Sequence, residues 1–452
     1  MSEESRLFGT DGVRGVANVE PMTADTALRL GRAVAQLFQG SGHRKIVIGK
    51  DTRLSGYMLE SALTAGVCSM GADALLVGPM PTPGIAFLTR SLRADAGVVI
   101  SASHNPFADN GIKFFSRTGF KLPDSLELQL ERLALDEHPG PPPTGRDIGR
   151  ATRVDDARGR YNEFAKQSFP RNATLSGLRI AVDCANGAAY RIAPEVLTEL
   201  GAHVIARGVQ PNGENINEGC GALHPGDLSR MVVAEGAHLG VAFDGDADRA
   251  LFVDEQGEVL DGDETMAMLA LDLQRRSALR NRTVVSTVMS NLGLELALRE
   301  HGIELRRTKV GDRYVVDEML RGDFNLGGEQ SGHILQLDHT TTGDGLITAL
   351  SVLRLMVEAE QPLGTLRRVM NRLPQTLLNV RVARRRELSE VPPISRAIDG
   401  AQKKLGARAR ILVRYSGTEP LLRVMVEGED ATLIEAAARE IADAAVRALA
   451  EE

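Results

Sequence analysis

Three cysteines in 452 residues, Cys68, Cys184 and Cys220, are an odd number, widely spaced and without a CxxC pair. That pattern argues against a disulfide framework and against a thiolate zinc site, leaving buried or incidental thiols. Long greasy runs are missing too. Nowhere do roughly 18 consecutive apolar residues occur, so no membrane-spanning helix is expected. The opening MSEESRLFG has no apolar leader core, so secretion is not expected and a cytoplasmic protein is. Nor is there a basic excess. Lysine and arginine number 53 against 60 aspartates and glutamates, a net charge of −7, which argues against nucleic acid or an anionic membrane as the main partner. Any anion this chain binds must be held locally.

What is present is a recurring unit. Residues 44–78, RKIVIGKDTRLSGYMLESALTAGVCSMGADALLVG, read as a β-branched run, a polar break, a helix-period stretch, a glycine and a second apolar run. Residues 178–208 and 282–311 repeat that order. Three βαβ units about a hundred residues apart predict three related α/β domains rather than one large sheet. The length allows several domains with ample core. The Pro- and Gly-rich HPGPPPTGRDIG at 138–149 reads as a linker. A second seam is expected near EQGEVLDGDE (255–264). A third follows the helix DGLITALSVLRLMVEAEQPL, whose Leu346, Leu350, Leu353 and Val357 mark one face. From about 370 the pattern becomes strand, helix, two strands and a long Ala-rich helix, a smaller α+β domain. The expected division is 1–150, 151–256, 257–369 and 370–452.

Four short stretches carry chemistry. In VAFDGDADRALFVDE (241–255), Asp244, Asp246 and Asp248 alternate with small residues, so a tight turn can aim three carboxylates at one point. Like charges that close are costly unless a cation neutralises them, and oxygen ligands select magnesium or calcium over zinc. An EF-hand fails because its sixth position needs Gly and has Arg249. A DxD phosphohydrolase loop, with Asp244 as the nucleophile, is a second alternative. In VVISASHNPF (98–107) an apolar run breaks into Ser101, Ser103, His104 and an Asn-Pro turn, which suits either a plain turn or a serine that handles phosphate at the mouth of a sheet. RYSGTEPLLR (414–423) can present the Ser416 and Thr418 hydroxyls, the Gly417 backbone and the forked donors of Arg414 and Arg423 to phosphate oxygens. GGEQSGHILQ (327–336) packs Glu329, Ser331 and His333 into a Gly-flanked turn: Glu can accept from a sugar diol, and a neutral His can take a proton.

SASHNP, DGDADR, GEQSGH and RYSGTEP, in this order and one per expected domain, resemble the α-D-phosphohexomutase superfamily over nearly the whole chain. FGTDGVRG, KVGDRYV, the Gln in GEQSGH and the Tyr in RYSGTEP resemble its amino-sugar branch more than its glucose or mannose branches. The resemblance implies three related α/β domains and a smaller fourth around a central cleft, with a phosphoserine at Ser103. One magnesium ion would be held by that phosphate and Asp244, Asp246 and Asp248. Glucosamine 6-phosphate would become glucosamine 1-phosphate by way of a glucosamine or glucose 1,6-bisphosphate, which serves as intermediate or primer, in the supply of cell-wall precursors. Arg14, Lys113 and Arg249 would offset charge near Ser103, and Lys113 and His333 are the candidates for moving protons. Glu329 and Ser331 would hold ring hydroxyls, while Arg414, Ser416, Gly417, Thr418 and Arg423 would take the far phosphate. A homodimer is compatible with this reading. A glucose or mannose phosphate mutase, or a phosphosugar-binding protein without activity, are the alternatives. His104 is expected to point away from Ser103, as neighbouring residues usually do, and to shape the loop with Asn105.

Overall fold

A computed structural model describes residues 7–9, 11–38, 44–136, 142–382, 386–406, 408–415 and 421–449. The chain forms two compact units, Met1–Val288 with Arg306–Arg368 and Met289–Leu305 with Val369–Glu452.

Six strands of the first unit make one sheet: β1 (Val13–Val16), β2 (Lys45–Lys50), β3 (Asp73–Pro79), β4 (Ala96–Ile100), β5 (Asp109–Ser116) and β6 (Ala151–Arg153), in the order β1-β5-β4-β2-β3-β6. β2 lies parallel to both β3 and β4, and β5 returns antiparallel to β4. Helices cover the sheet, so β4 is buried along its whole length, and such a strand reads as an unbroken apolar run. Ile46, Ile48, Val98 and Ile100 pack with Leu59, Leu63 and Val67 of the following helix, Ser55–Ser69. β6, which the linker reading assigns to the second domain, adds parallel to β3 at the edge of this sheet.

A second sheet holds β7 (Arg179–Asp183), β8 (His203–Arg207), β9 (Leu239–Phe243), β10 (Ala250–Val253) and β11 (Val259–Leu260), in the order β11-β10-β9-β7-β8. β7 is parallel to β8 and β9, and β9 and β10 form an antiparallel pair. The next helix, Gly262–Arg275, starts on a reciprocal cap in which Asp261 accepts from the Glu264 backbone and the Glu264 side chain accepts from the Asp261 backbone. A third sheet, β13-β12-β14-β15, is built from β12 (Thr283–Thr287), β13 (Glu304–Thr308), β14 (Leu326–Gly328) and β15 (Ile334–Gln336). Residues 306–308 of β13 belong to the first unit.

The helix Gly345–Ala359 departs from the expected single apolar face. Every residue from Gly345 to Met356 is buried. Its polar side is covered as well, because Ser351 donates to Gln336 at 2.9 Å and Arg354 pairs with Asp272 at 2.6 Å. Among the described residues no helix is long and apolar enough to cross a membrane, and the three cysteines are free thiols.

In the second unit, β16 (Gln375–Arg381), β17 (Ala409–Tyr415) and β18 (Leu421–Gly428) form an antiparallel sheet in the order β16-β18-β17. The helices Pro392–Leu405 and Ala431–Leu449 pack on it: Ala401, Ile434, Ala438 and Ile441 meet Val424 and Val426. The architecture is thus three α/β sheets followed by a smaller α+β sheet.

Candidate active site

The carboxyl ends of β4 and β9 supply the two central loops, as is usual for ligand sites in α/β sheets. Just past β4, Ser103 sits with φ at 52°, a left-handed conformation that costs a non-glycine residue on the order of 1–2 kcal/mol. The surroundings impose it. Arg53, fully buried, donates to the carbonyls of Ser103 at 2.9 Å, Asn105 at 2.8 Å and Asp109 at 3.1 Å, and also to that of Pro106. Asn217, in the loop that follows β8 of the second sheet, donates to the Ser103 and Asn105 carbonyls. Ser101 donates to Asp51 at 2.6 Å and accepts from the Ser103 backbone N–H at 2.9 Å, so it serves as scaffold. Ser103 Oγ is thereby aimed at Asp244, donating to Oδ2 at 2.6 Å.

The turn between β9 and β10 carries Asp244, Asp246 and Asp248, all buried, with one carboxylate oxygen from each within 4.8 Å of the others. The turn lies tight against the serine loop: a Cβ on Gly245 would fall 2.5 Å from the Ser103 carbonyl oxygen. One oxygen of Asp246 is anchored, accepting from Thr82 at 2.7 Å and Lys113 at 3.1 Å. Asp246 Oδ1 and Asp248 Oδ1 are buried without a hydrogen-bond partner. Burial opposes the ionisation of Asp246, yet Lys113, then the Thr82 bond, hold it well below the usual carboxylate range. Burial, then Asp248 and Asp246, push Asp244 well above that range. Orphaned carboxylate oxygens converging on one point fit a hard divalent cation, with Ser103 Oγ beside them as a further oxygen.

Around these loops is a cavity of about 770 Å³, lined by Ser103, His104, Arg14, Arg249, Glu329 and His333 among others, which is within the size range of small-molecule sites. Arg14 pairs with Asp11. The Arg249 backbone N–H donates to Asp244 at 3.2 Å, and its buried Nε has no hydrogen-bond partner. Lys113 lies beneath the floor, 3.1 Å from Asp246, 3.2 Å from Asp11 and 3.9 Å from Asp248. Glu329 accepts from the Gly311 N–H at 3.1 Å and from Ser331 at 3.4 Å. His333 stands 3.7 Å from both Asp248 and Asp312, and neither ring nitrogen is hydrogen-bonded. Gly343 packs against its ring so closely that a Cβ would fall 2.4 Å from Nε2.

His104 differs from expectation. It turns toward Ser103, with Nδ1 3.4 Å from Oγ, because the left-handed Ser103 brings neighbouring side chains to one side. Burial, then Arg249 and Arg14, pull its pKa down to about 4, so the ring is neutral near pH 7. Sequence reasoning missed a second layer. Lys121 bridges Asp11 at 2.5 Å and Asp312 at 2.6 Å, and Asp51 with Arg53 hold the serine loop. Asp11 and Asp312 stand inside FGTDGVRG and KVGDRYV, but those stretches give no sign of their shared lysine.

In the second unit, Arg414 and Arg423 face each other across β17 and β18. Burial, then Arg423, lower the pKa of Arg414. Like charges opposed across strands are repulsive and favour an anion between them. Ser416, Gly417 and Thr418 lie outside the described residues.

Four family profiles match in chain order: phosphoglucomutase/phosphomannomutase alpha/beta/alpha domain I over 5–139, domain II over 160–257, domain III over 261–373 and the C-terminal domain over 377–444. The phosphoglucosamine mutase of Syntrophotalea carbinolica is 58% identical over 449 residues, covering 99% of this chain and 98% of its own. That of Anaeromyxobacter sp. is 59% identical over 450 residues, covering 98% and 96%. Of solved structures, a phosphoglucomutase/phosphomannomutase family protein from Burkholderia thailandensis superposes with a TM-score of 0.80 at 25% identity over 97% of each chain. The Aspergillus fumigatus N-acetylphosphoglucosamine mutase, solved with GlcNAc-6P and magnesium, shares the fold at a TM-score of 0.68 and 19% identity over 99% and 96%. With near-complete coverage at this identity, and with all four phosphoglucomutase/phosphomannomutase domain profiles matched, the chain belongs to the phosphoglucosamine mutase family.

Proposed function

We infer that this protein interconverts glucosamine 6-phosphate and glucosamine 1-phosphate through a phosphorylated Ser103 and a 1,6-bisphosphate, supplying amino sugar for cell-wall precursors. The observation that carries the reading is Ser103 Oγ, held 2.6 Å from Asp244 at the edge of a buried carboxylate triad and opening on the cavity. In the forward reaction the phosphoryl group leaves Ser103 Oγ for the sugar O1, whose proton must depart. The P–O6 bond of the bisphosphate then breaks, Ser103 regains a phosphoryl group and O6 gains a proton. The net change is isomerisation. A phosphoserine ester is stable, so transfer needs its charge offset. A magnesium ion held by Asp244, Asp246 and Asp248 would supply part of that offset.

The remaining steps fall to side chains of this chain. Arg14 and Arg249 line the cavity and are cationic, so they would hold the phosphoryl oxygens. His333, free of hydrogen bonds on both ring nitrogens, is the group suited to exchanging a proton with a sugar oxygen. Lys113 is raised above its ordinary pKa because Asp11, Asp246 and Asp248 outweigh burial. Its part is to hold carboxylates in place as a cation. Glu329 and Ser331 offer an acceptor and a hydroxyl to ring hydroxyls in either orientation of the bisphosphate. The Arg414 and Arg423 pair would take a phosphate in the second unit.

The test is mass analysis of purified protein before and after phosphatase, together with turnover of Ser103→Ala. A single phosphate on the peptide containing Ser103, and loss of turnover with the fold intact, are expected. Phosphate on Asp244, or full turnover without Ser103, refutes the reading.

A further inference from the structure

We propose that Asp312 reads the 2-ammonium group of the amino sugar, so that the cavity tells a glucosamine phosphate from a glucose phosphate by charge. This deepens the mutase reading above and rests on it. Among the described residues, four carboxylates line the cavity: Asp11, Asp248, Asp312 and Glu329. An ammonium buried in a site needs a carboxylate that can still accept. Asp248 belongs to the triad. Asp11 is saturated, being paired with Arg14, Lys113 and Lys121. Glu329 has only neutral donors, the Gly311 N–H and the Ser331 hydroxyl, a setting suited to hydroxyls.

Asp312 stands apart from these three. Its Oδ1 accepts from the Arg313 N–H at 2.8 Å and its Oδ2 from Lys121 at 2.6 Å, so each oxygen has one donor and room for another. The single charge of Lys121 is divided between Asp11 and Asp312. A second cation is therefore better accommodated at Asp312, which shares one lysine, than at Asp11, which meets three cations, and Glu329 is the competing carboxylate that its own variant tests. His333 Nε2 lies 3.7 Å from Asp312 Oδ2 and makes no hydrogen bond there, and both residues line the cavity. The segment is fixed in place, because the Gly311 N–H bonded to Glu329 immediately precedes Asp312. Glu329 and Asp312 thus form one acidic wall with divided tasks, hydroxyls for the first and the ammonium for the second.

The experiment compares kcat/KM for glucosamine 6-phosphate and glucose 6-phosphate in wild type, Asp312→Asn, Lys121→Met and Glu329→Gln. Asp312→Asn keeps the shape and removes the charge. It should lower the preference for the amino sugar by about tenfold or more, the scale of one charge-assisted bond, with the loss confined to glucosamine 6-phosphate. Lys121→Met breaks the same ion pair but keeps the carboxylate, so its preference should not fall. Glu329→Gln should weaken both sugars alike. A preference in Asp312→Asn within about twofold of wild type overturns the proposal, as does an equal fall in Lys121→Met, which would trace the effect to the broken pair. A reading that needs no variant to fold uses wild type alone. Glucose 6-phosphate and 2-deoxyglucose 6-phosphate should bind within about threefold of each other and about tenfold or more weaker than glucosamine 6-phosphate; equal binding of all three refutes the idea. Failure of the wild type to turn over any of these sugars would instead refute the mutase reading itself.

Discussion

Arg53→Met gives the sharpest test of how the serine loop is held. The arginine is fully buried, and its guanidinium links Asp51 to four backbone carbonyls between Ser103 and Asp109. Methionine fills similar volume but donates nothing. Removing one member of a buried ion pair costs about 3–5 kcal/mol. Two corrections pull in opposite directions. Burial already raises the pKa of Asp51, with Arg53 the main influence opposing it, so an abandoned Asp51 takes up a proton and trims the cost. Asn217 still serves the Ser103 and Asn105 carbonyls, but those of Pro106 and Asp109 lose this donor. A net of about 4 kcal/mol, felt mostly as local opening, is the working figure. Hydrogen exchange read by mass spectrometry on peptides covering 101–109 should then speed up by about three powers of ten, with far peptides little changed. Turnover should fall at least about a hundredfold, since a shift of about 1 Å in Ser103 is enough for that. Asp51→Asn added to Arg53→Met should recover about 2 kcal/mol, because the lone carboxylate is gone. Exchange within about threefold of wild type in the single variant, with normal turnover, would refute the argument that Arg53 imposes the left-handed serine.

Thr82→Val removes one bond to Asp246 and nothing else of its shape. Outer partners of metal ligands commonly matter by a factor of ten or more, so the magnesium concentration for half-maximal activity should rise about tenfold, and an unchanged titration would refute the second-layer role. Asp344→Asn tests a pH linkage: burial raises the Asp344 pKa to about 6, despite bonds from Ile347 and Tyr161. Its folded pKa lies above its unfolded one, so its contribution is full below about pH 4 and is lost as pH rises through about 6, about 3 kcal/mol in all. Asparagine never ionises, so the Tm difference, variant minus wild type, should be more favourable at pH 7.5 than at pH 4; an equal difference at both would sink the assignment.

The repeating sheets were legible because a buried parallel strand must be apolar on both faces. KIVIGK and AGVVI therefore stand out without any partner being known. Helix environment was less legible. Leu346, Leu350 and Leu353 marked one face of Gly345–Ala359, but the burial of Thr348, Ser351 and Arg354 depends on partners remote in the chain, such as Gln336 and Asp272. The third strand-helix-strand order appears as β12, the helix Leu292–Glu300 and β13, each element in its expected place.

At the site, what could be read were residues whose chemistry is local. Three aspartates at alternate positions in a turn must converge wherever that turn lies, and a serine at the end of a buried strand must emerge at a sheet edge. Arg53, Lys121 and Asp312 carry no such local sign. Lys121 meets Asp11 across 110 positions and Asp312 across 191, distances at which only the completed fold decides contact. A charge isolated in sequence reads as a solvated surface group, which is the usual fate of lysine. Here burial opposes the charge on Lys121, yet Asp312 and then Asp11 raise its pKa well above the ordinary lysine value. The chain holds that cost in place because the lysine joins the FGTDGVRG loop, which carries the cavity-lining Arg14, to the KVGDRYV loop, beside Glu329 and His333. In the proposed reaction, a bisphosphate that presents its two ends in turn would need both loops to keep one spacing while it reorients. A lysine shared between their aspartates is a direct way to set that spacing, which makes the residues that sequence hid the ones that hold the legible ones in register.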